Sequence, residues 1–415
     1  MNIERWHRRL VETGPSALLE YLAYILFFPL AVIYGFLTKI RVALYRSGWL
    51  RSYRSPVPVI SIGNLAVGGT GKTPVTDLLV KSLLKKKKTV AVVSRGYGRS
   101  GRAPLVVVSS GKGALVSATE GGDEPVLLAR RNPQAIVIVS ADRRRAIRHA
   151  VYECGADIIL LDDGFQHLKV HRDLDIALLD ARKPFTNGFP LPFGLLREFP
   201  SAIDRADLVL LTRSRGDEEF SFGDKTVLRI NYKLSDKVTN LDGEQLELEK
   251  LKPGRIGAFA GIANPDSFFQ SLESSGVTPI KTLVFSDHAV YGTSELTQLH
   301  GLASRCDALI TTEKDLVKLG NAKLPCDCWS IPLELDVVEG LESLESVIDD
   351  TIMYHKEKLM LDQSLLDILA CPKCKGDVEY SAKDEKINCN QCNLSYPIRD
   401  GIPVMLVDEA FEING

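Results

Sequence analysis

Short apolar runs alternate with segments of helical spacing along the first half of the chain. The apolar runs, rich in Val, Ile and Leu, are residues 89–94, 105–109, 135–140, 157–162, 174–180 and 206–212. Between them, segments such as 72–84 and 142–153 carry apolar residues at the spacing of a helix. Continuous apolar strands joined by helices predict an α/β fold, with a mostly parallel sheet covered by helices on both faces. Ligands of such sheets gather at the carboxyl ends of the strands.

A second series of strand-like and helix-like segments follows a charged interruption at residues 214–225. It predicts a smaller second α/β subdomain. The 415 residues are enough for several such units. The predicted segments are an N-terminal helical segment (1–55), a core (56–215), the second subdomain (216–350), a linker (351–363) and a cysteine-bearing tail (364–415).

Residues 58–74, PVISIGNLAVGGTGKTP, pass from an apolar run through a glycine-rich turn into a helical pattern. This is the arrangement of a P-loop, in which backbone N–H groups and a helix N-terminus face the phosphates of a nucleotide. Lys72 would reach the β- and γ-phosphates, and the Thr73 hydroxyl would bind Mg²⁺. The usual spacing has a glycine in place of Ala66, and a flexible glycine-rich turn is the alternative interpretation. The predicted ATP-binding residues are Ala66, Val67, Gly68, Gly69, Thr70, Gly71, Lys72 and Thr73.

Two adjacent carboxylates, Asp162 and Asp163, end the apolar run 157–162. A carboxylate at the tip of a buried strand beside a P-loop is where a Walker B aspartate holds Mg²⁺. A solvated loop is the alternative, but the apolar strand that precedes the pair favours a magnesium site.

The N-terminal region combines basic residues with an uncharged stretch at residues 21–38, YLAYILFFPLAVIYGFLT. That length is about the minimum for a helix that spans a bilayer. A spanning helix, a helix lying in the membrane interface with its basic flanks on anionic headgroups, and a buried helix of a soluble protein are all compatible with the pattern. A cleaved signal peptide is disfavoured because no small-residue cleavage site follows. Both membrane interpretations leave the P-loop on the cytoplasmic side.

The overall charge gives no indication of a nucleic-acid partner. The chain has 51 Lys and Arg against 53 Asp and Glu, for a net charge of −2, and its 45% hydrophobic content is that of an ordinary globular protein.

Several motifs taken together resemble the tetraacyldisaccharide 4′-kinase family of lipid A synthesis. They are GNLAVGGTGKTP (63–74), SRGYGR (94–99), GDEP (122–125), LDDGFQHLKVHRDLDIALLDA (161–181), NGFPLPFGLLREFPSAIDRADLVLLTR (187–213), FAGIANPDSF (259–268), FSDHAVY (285–291) and ITTEKDLVKL (310–319). The resemblance covers about residues 10–345 and includes the alanine at position 66. It implies a membrane-associated P-loop kinase that uses ATP and Mg²⁺. Such a kinase transfers the γ-phosphate to the 4′-hydroxyl of a tetraacylated glucosamine disaccharide 1-phosphate, giving lipid IVA.

The resemblance also implies a catalytic pair, with Asp123 as the base toward the sugar hydroxyl and His288 orienting and tuning it. Arg197 would lie on the transferring phosphate. From the residues alone, Asp123 is equally compatible with a helix cap and His288 with a buried turn histidine. A positioned carboxylate suits the reaction because a sugar hydroxyl is a weak nucleophile.

Further roles follow by position in the family. Glu198 would complete the Mg²⁺ shell with Asp162 or Asp163, and Tyr97 and Arg143 would lie near the lipid substrate or the nucleotide phosphates. Alone, Arg197 and Glu198 also fit a surface ion pair.

An acceptor with four acyl chains leaves a bilayer at a cost of ~0.8 kcal/mol per CH₂, so its kinase should dock to the membrane. The expected location is the cytoplasmic face of a Gram-negative inner membrane, with peripheral or single-helix anchoring. The alternative function is a membrane-associated P-loop GTPase or ATPase switch.

The tail contains two C-x-x-C pairs, Cys371 with Cys374 and Cys389 with Cys392. Four thiolates at this spacing suit a tetrahedral Zn²⁺ site in a ribbon, with a redox motif as the alternative. Residues 364–410 resemble the small Trm112-like zinc-ribbon family, which implies a β module that binds a protein partner.

Overall fold

The computed structural model describes residues 3–68, 71–96, 99–101, 103–218, 220–287, 289–320, 322–381, 386–399 and 402–413. The chain divides into two compact units, Met1–Ser346 and Val347–Gly415. The helices are α1 (Ile3–Thr13), α2 (Leu18–Arg46), α3 (Lys72–Lys85), α4 (Ala118–Gly121), α5 (Asp123–Arg131), α6 (Arg143–Tyr152), α7 (Pro265–Ser274), α8 (Thr293–Ala303), α9 (Glu313–Leu319) and α10 (Leu341–Asp367).

The strands of the larger unit are β1 (Val59–Asn64), β2 (Val90–Ser94), β3 (Val106–Ser110), β4 (Ile136–Val139), β5 (Ile158–Asp162), β6 (Leu174–Asp180), β7 (Leu208–Thr212), β8 (Thr226–Leu234), β9 (Lys237–Thr239), β10 (Gln245–Glu247), β11 (Ile256–Ala260), β12 (Lys281–Val284), β13 (Ala308–Thr312), β14 (Asp327–Ile331) and β15 (Leu333–Glu339). Those of the smaller unit are β16 (Glu379–Ser381), β17 (Lys386–Cys389), β18 (Leu394–Arg399), β19 (Ile402–Pro403) and β20 (Phe411–Glu412).

The first sheet has the order β15-β8-β7-β6-β1-β5-β2-β4-β3. Its central pairs are parallel, and β3 and β15 run antiparallel at its two edges. Successive residues of a strand point to opposite faces, and here both faces are apolar. One face packs on α6 through Ala146, Ile147 and Ala150, while α3 contacts β1, β2 and β5. The predicted α/β architecture is therefore confirmed, as are the six strands (β2 to β7) and the helices α3 and α6.

The second sheet has the order β10-β9-β14-β13-β11-β12 and also lies in the larger unit. The structure differs from the sequence-based segmentation in two respects. Strands β8 and β15 come from the segment predicted as the second subdomain, yet they extend the first sheet. Residues 351–363, interpreted as a linker because they are polar, lie inside α10, since Glu, Lys, Leu and Met also favour a helix.

Helix α2 has one packed face and one exposed face. On the packed face, the ring of Tyr24 lies tilted against Phe193, and the ring of Phe28 meets Phe193 edge to face. Gly35 leaves room for the ring of Phe199. A Cβ at Gly35 would lie only 2.2 Å from that ring. The exposed face carries Leu18, Leu19, Leu22, Ile25, Leu26, Ile33, Phe36, Leu37 and Ile40, each more than half exposed. Within the described residues, α2 is the helix long and apolar enough to cross a membrane.

In the smaller unit, β16, β17 and β18 form an antiparallel ribbon. β19 and β20 each pair with β18. Ile387 and Tyr396 form its small core together with Cys371 and Cys389.

Candidate active site

The phosphate-binding turn lies between β1 and α3. Gly71 precedes Lys72, the first residue of α3, and has a left-handed φ of 79°. A Cβ at Gly71 would lie 1.7 Å from the Tyr232 hydroxyl oxygen, which is itself 3.2 Å from the Gly71 carbonyl oxygen. Both the backbone angle and this close approach therefore require glycine. Ala66, Val67 and Gly68 form the described first part of the turn, and Gly69 and Thr70 lie outside the described residues.

Lys72 extends from α3 back over the ends of β1 and β5. Its Nζ lies 3.3 Å from Asn64 Oδ1 and 3.4 Å from Asp163 Oδ1. The side chain is 14% exposed, and Thr73 beside it is buried. This cation is held at the carboxyl edge of the sheet, where the phosphates of a P-loop nucleotide lie.

Asp162 ends β5 and is almost fully buried. Its Oδ2 accepts a hydrogen bond of 3.1 Å from the Ser94 hydroxyl at the end of β2, which neighbours β5. Its Oδ1 is buried and has no hydrogen-bond partner among the residues that the structure describes. Burial, reinforced by the charge of Glu124, raises the pKa of Asp162 to about 6. A buried carboxylate oxygen with no donor fits an oxygen-binding cation such as Mg²⁺.

Asp163 and Arg197 form a pair beside Asp162. Asp163 has a left-handed φ of 53°. Arg197 Nη1 donates to both carboxylate oxygens at 2.8 Å. Burial opposes ionisation, but Lys72 and Arg197 outweigh it and hold the pKa of Asp163 below its usual range. Of the two adjacent aspartates, Asp162 is thus the one with an oxygen available for a metal ion.

Glu198 has an ion-pair partner of its own. Both of its carboxylate oxygens accept hydrogen bonds from Arg205, at 2.8 and 2.7 Å. The Arg205 guanidinium lies 4.7 Å from the ring centre of Phe165. Arg197 and Glu198 are consecutive residues whose side chains take different partners. Among the described residues the fit of a magnesium ion is clearest at Thr73 and Asp162, and the role of Glu198 at the metal stays a prediction.

Asp123 begins α5 and is buried. Its Oδ1 accepts a hydrogen bond of 3.0 Å from the Glu124 backbone N–H. The Glu124 carboxylate forms an ion pair with Lys314 of α9. Glu124 and Lys314 lie in two of the motifs that resemble the family, but nothing local in the sequence shows that α9 meets α5, so neither residue could be given a role from the sequence. His288 and Tyr97 lie outside the described residues.

Arg143 begins α6 and is also buried. Burial lowers the pKa of its guanidinium, and the nearby carboxylates Asp162 and Asp163 oppose that change. Its Nε has no hydrogen-bond partner within the described part of the chain. A buried cation facing two carboxylates at the P-loop suits an anionic phosphate ligand.

Asp315 of α9 joins three of the motifs that the sequence singled out. Its carboxylate accepts hydrogen bonds from the Gly261 N–H (2.9 Å), the Tyr291 hydroxyl (2.9 Å) and the Thr312 hydroxyl (2.7 Å). Lys318 adds an ion pair of 2.9 Å. Through these hydrogen bonds, the fully buried carboxylate links Tyr291, in the loop that follows β12, to Gly261 at the end of β11 in the second sheet.

In the smaller unit, the sulfur atoms of Cys371, Cys374, Cys389 and Cys392 all lie within 4.8 Å of one another. The Cys371–Cys392 distance is 3.9 Å, and the Cys374–Cys389 distance is 3.6 Å. Four sulfurs about 2.3 Å from a tetrahedral Zn²⁺ would be separated by about 3.8 Å. The cysteine set therefore fits zinc.

Together, the glycine turn, Lys72 at the start of α3, the oxygen of Asp162 and the parallel sheet define a P-loop enzyme that binds a nucleoside triphosphate. A family model described as tetraacyldisaccharide-1-P 4′-kinase matches residues 23–353. The chain belongs to this family. A second model, described as Trm112p-like protein, matches residues 362–401.

Curated relatives named tetraacyldisaccharide 4′-kinase support the same assignment. The protein of Syntrophotalea carbinolica is 48% identical over 335 residues, which are 80% of this chain and 94% of the relative. That of Geobacter metallireducens is 44% identical over 81% of this chain and 100% of the relative. A crystal structure of LpxK from Aquifex aeolicus in complex with ATP superposes with a TM-score of 0.68 at 32% identity, covering 78% of this chain and 98% of that one.

Proposed function

We propose that this chain transfers the γ-phosphate of ATP to the 4′-hydroxyl of tetraacyldisaccharide 1-phosphate, giving lipid IVA. The observation that carries the proposal is the buried Oδ1 of Asp162, which has no hydrogen-bond partner among the described residues and lies near Lys72 of the P-loop, in a chain of this family. A phosphate donor and a cation that neutralises it both fit at this edge of the sheet.

The chemistry assigned to each residue follows from charge and position. Lys72 and the helix N-terminus bind the β- and γ-phosphates, and Arg197 offsets the charge that spreads over the transferring phosphoryl group. Asp162 and Thr73 would hold Mg²⁺, which would neutralise charge on the phosphate oxygens. Asp123 accepts the proton of the 4′-hydroxyl as the new O–P bond forms and the bond to ADP breaks. His288 orients Asp123 in this proposal.

Transfer of label tests the proposal. Purified protein in detergent micelles is given ATP labelled in the γ-phosphate, Mg²⁺ and the tetraacyldisaccharide 1-phosphate. We expect the label to appear in the lipid and ATP consumption to depend on the lipid. Hydrolysis at the same rate without lipid would instead support the alternative, a P-loop ATPase switch.

The exposed apolar face of α2 supports membrane docking at the cytoplasmic face, either peripherally or by a single helix. When the protein meets a bilayer, this face passes from water into the acyl-chain layer. The transfer stabilises the bound state by roughly 25 cal/mol per Å² of apolar surface removed from water. The basic residues that flank α2 favour anionic headgroups.

Substituting both Ile25 and Ile33 by glutamate should therefore detach the protein. Two charges in the apolar layer cost several kcal/mol, so the vesicle-bound fraction in flotation with phosphatidylglycerol vesicles should fall at least about tenfold. Activity in detergent should change little. The matched control is Ile280→Glu/Val338→Glu, which also replaces two exposed apolar residues, and its vesicle binding should equal that of the wild type. Equal binding by the α2 variant would contradict the docking proposal.

We also propose that the smaller unit binds one Zn²⁺ through its four cysteines and offers a surface to a protein partner, as the Trm112p-like match supports. Metal analysis of the purified protein should give about one zinc per chain, since all four ligands of a closed structural site are present. The Cys371→Ser/Cys374→Ser variant should lose it, whereas Cys154→Ser, a cysteine of the larger unit, should not. Equal zinc content in all three proteins would contradict the site.

A further inference from the structure

Each end of α5 forms an ion pair with the first turn of α9. At the start of α5, Glu124 pairs with Lys314, and at its end Arg131 pairs with Glu313. Arg131 also donates to Asp77 of α3 at 3.0 Å. Both ion pairs connect the same two helices, but only the Glu124–Lys314 pair lies beside the proposed base, Asp123.

The group around Asp123 is rich in carboxylates. Glu124 adjoins it on α5, and Asp287, in the loop after β12, lies near Lys314. Among the residues that the structure describes, Asp162 at the end of β5 also acts on Glu124, and the cations near this cluster are Lys314 from α9 and Lys72 from α3. The side chains of Lys314 and Glu124 are 31% and 29% exposed, so the pair is not sealed in the core. Lys72 Nζ lies 3.4 Å from Asp163 Oδ1, whereas Lys314 pairs with Glu124 and also lies near Asp123 and Asp287.

We propose that Lys314 is a positioning residue for phosphate transfer, which keeps the Asp123–Glu124 pair ionised and fixed at the start of α5. This inference rests on the proposed function, in which Asp123 is the base. Lys314 need not touch the substrate. It acts through the carboxylates, because neighbouring like charges disfavour each other's ionisation and an opposite charge within a few Å restores it.

The electrostatics around Lys314 agree with this geometry. Despite partial desolvation, the charges of Glu124 and Asp123 raise the pKa of Lys314, so it stays protonated across the working range. Reciprocally, Lys314 holds the pKa of Glu124 below its usual value. Removing the cation should raise the pKa of Asp123, since its ionised form would lose an attractive partner. A base with a raised pKa is protonated, and inactive, up to a higher pH.

The test is the pH profile of kcat/KM in detergent for wild type, Lys314→Gln, Lys314→Met and Lys314→Arg. Both neutral variants should shift the acidic limb of the profile to higher pH by about one unit. At a pH below the limb, this shift corresponds to roughly a tenfold lower kcat/KM. Lys314→Arg keeps the charge and should leave the limb in place. Two neutral variants are used so that the result does not depend on the folding of one, and thermal unfolding verifies that each is folded.

Arg131→Met is the matched control. It breaks the other ion pair between α5 and α9, about 10 Å further along α5 at 1.5 Å per residue. Arg131→Met should lower the stability of the contact between α5 and α9 without moving the acidic limb of the kcat/KM profile. An unmoved limb in the folded Lys314→Gln and Lys314→Met proteins, or an equal shift in Arg131→Met, would overturn the inference. If the wild type transfers no phosphate to the lipid, it is the proposed function that fails instead.

Discussion

Asp123→Asn is expected to lower kcat for lipid phosphorylation by a factor of about 10² to 10⁴, the range for loss of a general base. Asparagine has almost the same shape, and its side-chain oxygen can still accept the Glu124 N–H that Asp123 accepts at 3.0 Å. The start of α5 should therefore be preserved. What disappears is the acceptor for the proton of the sugar hydroxyl. ATP binding, measured by equilibrium titration, should stay within about twofold of wild type because Asp123 makes no contact with the nucleotide in this mechanism.

The matched control for this prediction is Asp142→Asn. Asp142 also stands at a helix start, where its side chain accepts the Arg144 N–H at 3.1 Å before α6. It has no part in the proposed reaction, so kcat should remain within about twofold. Activity of Asp123→Asn within tenfold of wild type would show that Asp123 is a helix-capping residue rather than the base.

Asp162→Asn is expected to have the second large effect, on the Mg²⁺ dependence of the reaction. The neutral amide keeps an oxygen but loses the charge that holds the cation, so half-maximal activity should require at least about tenfold more Mg²⁺. kcat at saturating Mg²⁺ should still fall, by about 10². Because the pKa of Asp162 is raised to about 6, protons compete with the metal, and wild-type Mg²⁺ affinity should weaken as pH drops through 6.

Asp180→Asn is the matched control for Asp162→Asn. Asp180 also ends a parallel strand of the first sheet, β6, but its carboxylate is already paired with Arg182 and Arg213 at 2.8 and 2.7 Å. Its loss should lower stability without changing the Mg²⁺ requirement. If both variants keep the wild-type Mg²⁺ dependence, Asp162 is not a metal ligand.

Much of the nucleotide site could be predicted because its parts are local in sequence. A β-strand, a glycine turn and a helix beginning with Lys72 are consecutive, and each has its own periodicity or turn residue. Asp162 could be placed as well, since the end of an apolar strand in a parallel sheet lies at the ligand-binding edge. These expectations needed no knowledge of tertiary contacts.

The rest depended on contacts that no local pattern encodes. Lys314 reaches Glu124 across 190 residues of sequence, and only the packing of α9 on α5 brings them together. Glu198 pairs with Arg205, a neighbour that composition alone could not distinguish from several other cations. The strands β8 and β15 joined the first sheet because pairing partners, not strand propensities, decide sheet membership.

In the proposed reaction the γ-phosphate of ATP bound at the P-loop goes to one hydroxyl of a lipid-borne sugar. The most direct measurement compares the tetraacyldisaccharide 1-phosphate with its 4′-deoxy analogue, using γ-labelled ATP and wild-type protein in the same micelles. We expect one label per lipid with the first acceptor and none with the second, at unchanged lipid binding. Equal ATP turnover with both lipids, with the label released as inorganic phosphate, would contradict it.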